Sequence, residues 1–125
     1  MSTIDGPETG IVATLVTPEA ADAMAWHPLA PHEGVEYKLF WRSGKSVAGL
    51  MRLQPGARLE RHTHRASHHH MWMVEGSAQL LGRTVGPGTY VHIPAGIEHG
   101  LEAGDEGCTL VYLYLREPGY EGSAG

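Results

Sequence analysis

Apolar and polar side chains alternate with a period of two along much of this chain, the signature of strands that turn one face inward. Between residues 35 and 42, Val35, Tyr37, Leu39 and Trp41 fall on one side and Glu36, Lys38 and Arg42 on the other, with Phe40 out of step. Ser43-Gly44-Lys45 interrupts the pattern, which resumes as Val47, Gly49, Met51 and Leu53 opposite Arg52. These two segments predict a hairpin. Glycine and proline cut the rest into short pieces. Strands are predicted over residues 58–64, 68–75, 78–81, 90–93 and 108–115. Turns are predicted at Gln54-Pro55-Gly56, Gly76, Gly82, Gly86-Pro87-Gly88, Pro94-Ala95-Gly96 and Gly104-Asp105-Glu106-Gly107. Upstream, residues 10–17 are β-branched enough for a strand, at an edge or exchanged with a partner. Residues 18–25 are alanine-rich and suit one helical turn, and 26–31 hold Pro28 and Pro31 and read as irregular. Residues 1–9 and 117–125 read as tails. No segment carries a 3.6-residue apolar stripe, so the fold class is all-β, with about ten short strands.

Composition narrows the picture. A chain of 125 residues suits one domain spanning 1–125. Its 42 % hydrophobic and 18 % charged residues fit a folded core, and 17 Gly with 8 Pro fit frequent tight turns. A formal net charge of −5 lacks the basic field that nucleic acid or an anionic membrane would need as partner. Cys108 is the only cysteine, so no internal disulfide forms and a reducing compartment is expected. The N-terminal residues are neither basic nor followed by an apolar run, and nothing approaches the roughly 18 apolar residues of a membrane span. The expected location is the cytoplasm.

Seven of the nine histidines lie between residues 62 and 99. His62 and His64 are two apart, so one strand presents both imidazoles on one face, half of a metal site. His69 lies on the next predicted strand, where alternation separates it from His68 and His70. At least one of those three therefore stands outside any shared site. His99 follows Pro94-Ala95-Gly96. Imidazole suits Fe, Co, Ni, Cu and Zn, and less selectively Mn. A lone histidine is more often hydrogen-bonded or solvent-facing than a ligand, and the run 68–70 also fits a surface that scavenges nickel. Two clusters, each framed by glycine and proline at fixed offsets, favour the metal site.

With those offsets the sequence resembles the cupin superfamily. The first cupin motif (Gly, five residues, His-x-His, three or four residues, Glu, six residues, Gly) is similar to residues 56–76, at Gly56, His62, His64 and Gly76. The second (Gly, five residues, Pro-x-Gly, two residues, His, three residues, Asn) is similar to residues 88–103, at Gly88, Pro94, Gly96 and His99. The chain departs from the family twice: His69 stands where the motif has Glu, and Ala103 where it has Asn. The resemblance implies a single jelly-roll β-barrel, the double-stranded β-helix. It also implies one metal held by His62, His64, His69 and His99. The shorter spacer would use His68 instead and leave Gly76 out of register by one.

Four neutral histidines leave a divalent metal with a formal site charge of +2, where three His and one Glu would leave +1. The extra charge makes a stronger Lewis acid and favours enolates, diketonates or carboxylates as ligands. The resemblance implies a mononuclear metal-dependent enzyme acting on a small-molecule substrate. With Fe(II) it would be a dioxygenase, and with Zn or Ni a non-redox lyase, isomerase or cyclase; Mn, Co and Cu also suit the donors. The alternative is a small-ligand sensor with a structural metal. Candidate acid–base residues are His92, Tyr37 and Tyr112, with Glu60 and Glu98 near the motifs, while Met51, Met71, Met73 and Tyr114 are candidates to line the interior. Residues 26–56 also resemble the cupin domain of zinc-binding anti-sigma factors and small cupin dioxygenases. The barrel occupies the chain, so no accompanying sigma-binding helical domain is expected. Exchange of residues 10–17 across a twofold axis predicts a homodimer.

Overall fold

The computed structural model describes residues 2–5, 12–62 and 67–116. Strand β1 (Ser2–Asp5) pairs antiparallel with β2 (Val12–Leu15) in a two-stranded sheet of their own, Ser2 opposite Leu15 and Asp5 opposite Val12. Part of the expected N-terminal tail is thus a strand; Thr3 and Ile4 are β-branched and take up the pairing that β2 offers. Helix α1 (Pro18–Ala23) starts where the Thr17 hydroxyl accepts from the Ala20 amide at 3.1 Å. Pro18, whose missing N–H costs nothing in a first turn, and acidic Glu19 complete a favourable N-terminus.

The other strands are β3 (His27–Pro28), β4 (Val35–Ser43), β5 (Ser46–Leu53), β6 (Arg58–His62), β7 (Ser67–Leu80), β8 (Arg83–Val85), β9 (Tyr90–Ile93) and β10 (His99–Arg116). The hairpin of β4 and β5 forms as predicted, and its register slips between Leu39 and Trp41. Phe40, the residue out of step in the sequence, is the extra residue of that bulge. Of the strand predicted over 58–64, residues 63 and 64 lie outside the described residues, as does the tail from 117.

Two predicted turns are bends inside long strands. Gly76 lies within β7, and Gly104-Asp105-Glu106-Gly107 lies within β10, where the pairing slips between Ala103 and Cys108. Residues 78–80 therefore continue β7 instead of pairing back on it, Leu81 opens the loop that follows, and β8 makes that return. Because both strands bend together, each serves two layers. Residues 108–116 of β10 run between β5 and the start of β7, in a layer that β3, β4 and β9 extend. Residues 99–103 run between β6 and the end of β7, in a layer that β8 extends.

Inward residues of the two layers form one cluster, including Val35, Met51, Leu53, Met71, Met73, Leu80, Ile93, Leu101, Leu110 and Tyr112. Burial of this apolar area is what holds the layers together. Outward positions of β4 and β5 carry the N-terminal segment. Lys38, 5 % exposed, donates from Nζ to the Ala21 carbonyl at 2.7 Å and lies 4.5 Å from the centre of the Trp26 ring. Arg52 lies over the same ring at 4.3 Å and pairs with Glu36 at 2.6 Å. The Lys38 hydrogen bond thus fixes α1, and the two cation–π contacts fix Trp26, against the sheet. No helix among the described residues is long and apolar enough to cross a membrane.

Candidate metal centre

Alternation along β7 sends His69, Met71 and Met73 inward and His68, His70 and Trp72 outward. His69 is 4 % exposed and stacks on Tyr114, its register partner on β10, with ring centres 3.7 Å apart and planes 18° from parallel. His99 opens β10 in the other layer and is 7 % exposed. Its ring meets His69 edge-on, centres 5.2 Å apart and planes at 79°. Two imidazoles thirty positions apart in the chain thus meet inside the barrel.

The backbone of His62 lies beside them, because β6 pairs His62 with His99. The side chain of His62 and the whole of His64 lie outside the described residues. Among the described residues, no three His, Cys, Asp or Glu groups converge as a metal site would require. The tautomer of His99 is nevertheless fixed. Its Nδ1 lies 3.2 Å from the Ile97 carbonyl, which only accepts, so Nδ1 carries the hydrogen and the lone pair sits on Nε2. That is the arrangement in which a histidine ligates through Nε2 while its other nitrogen is anchored.

Three tyrosines extend from this pair. Tyr114 contacts Tyr112 at 5.0 Å between ring centres. The Tyr112 hydroxyl donates to the Lys38 carbonyl at 3.2 Å. Burial, then the Tyr37 phenol, pushes Tyr112 up to about 12, against a smaller downward pull from Arg42. A phenol so held gives up its proton poorly, so Tyr112 orients Tyr114 and makes a poor base. Burial, and then Tyr112, raises Tyr114 as well. Tyr37 is half-buried and its ring lies 5.9 Å from His27. The stacking of Tyr114 on His69 is what sequence reasoning missed. Tyr114 is visible as an inward position, but only the β7–β10 register names its partner.

His92, a candidate base, stands on the outside. On β9 the neighbours Ile93 and His92 point oppositely; Ile93 is buried opposite His69, which leaves His92 exposed opposite His70. His92 and His70 stack with centres 4.6 Å apart and planes 13° from parallel, and His68 lies 5.9 Å from His92. Burial, then His92 and His68, holds His70 below the usual imidazole range. An open cleft of about 520 Å³ reaches His99 and is lined also by Arg58, Leu59, Gln79, Glu98 and Glu102. Arg58 and Glu102, register partners on β6 and β10, pair on its lining at 3.2 Å.

Residues 16–116 match the family described as the ChrR cupin-like domain. The chain belongs to that family. Its barrel is similar to a polyketide cyclase, RemF, from Streptomyces resistomycificus, with a TM-score of 0.65 and 21 % identity over 78 % of this chain and 79 % of that one. It is similar to an RmlC-like cupin from Shewanella frigidimarina, with a TM-score of 0.67 and 16 % identity over 94 % and 96 %. A third similarity is to the complex of Rhodobacter sphaeroides SigE with the anti-sigma ChrR, with a TM-score of 0.63 and 19 % identity. It covers 74 % of this cupin and 49 % of the matched chain, so this chain spans about half the length of that protein. At these identities the likeness establishes the all-β cupin fold. No curated protein sequence matches the chain.

Proposed function

We propose that this cupin holds one divalent transition metal, Fe(II) or Zn, through His62, His64, His69 and His99, and acts as an enzyme on a small enolisable, chelating molecule. The observation that carries this reading is the buried contact between His69 and His99, with the Nε2 lone pair of His99 set by its bond to Ile97. His62, beside His99 in register, and His64, two residues on, complete the set.

A bound metal of this kind supplies Lewis acidity toward an enolisable carbonyl and, as iron, chemistry with O2. The protein's own share is positional. Tyr114 fixes the plane of His69, Tyr112 fixes Tyr114, and the Ile97 carbonyl fixes His99. With His92 outside and Tyr112 committed to Lys38, Tyr37 is the remaining acid–base candidate of the original three. The enzyme is read as a homodimer in a reducing, cytoplasmic setting, and light scattering showing a monomer at micromolar concentration would remove the dimer.

Metal analysis of untagged protein purified without chelators or nickel resin tests the core of the reading. About one equivalent of iron, absent from His99→Ala, is the expected result, followed by O2 uptake with diketones or hydroxyaryl ketones. One equivalent of zinc would turn the reaction to a non-redox lyase, isomerase or cyclase step. Equal metal in wild type and His99→Ala would overturn the ligand set.

A further inference from the structure

A second group of nitrogen donors lies on the outer wall, on strands β7 and β9. His70 and His92 are register partners there, and such partners on antiparallel strands hold their Cβ atoms about 5 Å apart. That is within reach of one metal ion bound by both side chains. The His70 Nδ1 lies 2.6 Å from the Tyr90 hydroxyl. The Tyr90 hydroxyl can accept as well as donate, so metal binding at the His70 Nε2 selects the tautomer whose Nδ1–H donates to that oxygen, and anchoring the second nitrogen in this way is the usual support of a ligating histidine. His68 does not join them. The Ala95 amide donates to its Nδ1 at 3.3 Å, which places the hydrogen of the neutral ring on Nε2. This agrees with the lack of any three converging donors among the described residues.

We propose that His70 and His92 form a two-imidazole site for a borderline divalent metal, Cu²⁺, Ni²⁺ or Zn²⁺, on the outer face of the barrel, with Tyr90 orienting His70 and water completing the coordination. The two rings are nearly parallel in their stack. With His70 held by Tyr90, rotation of the His92 ring turns its Nε2 toward an ion bound at the His70 Nε2 at about 2.0–2.1 Å, and the terminal torsion of histidine is broad enough to allow it. Two neutral nitrogen donors without a carboxylate select Cu²⁺, Ni²⁺ and Zn²⁺ over Mg²⁺ and Ca²⁺. The site is separate from the interior pair, because alternation puts His69 and His70 on opposite faces of β7.

Titration of Cu²⁺ into metal-free protein by calorimetry, with copper electron paramagnetic resonance, tests this. The variants are His70→Ala/His92→Ala, Tyr90→Phe and His99→Ala, each checked by circular dichroism for an unchanged fold. The double variant is expected to bind one Cu²⁺ fewer than wild type. His99→Ala should keep the binding event that the double variant loses, and Tyr90→Phe should weaken that event about 10-fold while leaving both histidines in place. Equal copper stoichiometry in wild type and double variant would overturn the proposal, and so would loss of the same event in His99→Ala. Failure of the interior site would leave these differences unchanged, so the two readings fail separately.

Discussion

Interior chemistry at the level of single residues depends on which side chain holds His69 in place. Tyr114 does so with a ring face, at 3.7 Å between centres, and its hydroxyl is not part of that contact. Aromatic contacts contribute about 0.5–1.5 kcal/mol beyond simple burial. At the proposed interior metal site, Tyr114→Phe should therefore keep affinity within about twofold of wild type, while Tyr114→Ala, which removes the ring, should weaken it by roughly 10-fold. Competition with a chromophoric chelator measures both. Equal loss in the two variants would mean that the hydroxyl matters and the stack does not. Of this constellation, His69 and His99 are legible in the sequence because the cupin spacings point to them. Tyr114 is not, because its role arises from the pairing of strands more than forty residues apart. His92 shows the opposite error: nearness to a motif in sequence says nothing about which face of a two-residue period a side chain takes.

Among the elements, the same limit explains the two misread turns. A glycine with flanking polar residues signals a backbone that leaves the ordinary strand region, but a chain reversal and a bend inside a strand need the same dihedral freedom. Gly76 has φ +74, and a Cβ there would collide with the Gly107 carbonyl oxygen. Both layers are hinged at this contact, so Gly76→Ala combines a left-handed backbone cost of about 1–2 kcal/mol with a backbone clash. We expect a loss above about 3 kcal/mol in urea denaturation; a loss under about 1 kcal/mol would show that the bend tolerates a side chain. The β7–β8 connection offers the reverse case. Leu81 and Gly82 both have positive φ, 51 and 77, in a two-residue loop between the paired residues Leu80 and Arg83. Such loops favour Asn-Gly, and Leu81 is an exposed, non-glycine residue held in the left-handed region. Leu81→Asn should raise stability by about 0.5–1 kcal/mol, seen as a higher melting temperature. The hairpin of β4 and β5 is legible because its residues are neighbours in sequence; Phe40 shows there as a break in alternation, and the pairing register identifies that break as a bulge.

For the whole molecule, burial of titratable groups in the barrel ties stability to pH at the alkaline end. Burial pushes the Cys108 thiol up to about 11 and, with the Tyr37 phenol, the Tyr112 phenol up to about 12. In the unfolded chain these groups titrate near 8.5 and 10. Between the unfolded and folded values, the folded state binds more protons than the unfolded state, so stability falls as pH rises. The stabilisation is fully present below about pH 8.5 and is lost through pH 11 to 12, with a contribution on the order of 3 kcal/mol from each group. A chain with 14 acidic against 9 basic residues adds general repulsion as it loses further protons, so the slope alone does not identify the cause. Cys108→Ala separates the two. It leaves a small cavity, which lowers stability by the same amount at every pH, but it removes the thiol's titration. Urea midpoints at pH 7, 9 and 10.5 should therefore fall less steeply in Cys108→Ala than in wild type, with the lines converging at high pH. Parallel lines would place the alkaline loss in surface charge. The same burial predicts that a water-soluble disulfide reagent reacts with Cys108 far more slowly in native protein than in urea at pH 8, because the reactive thiolate is scarce and covered.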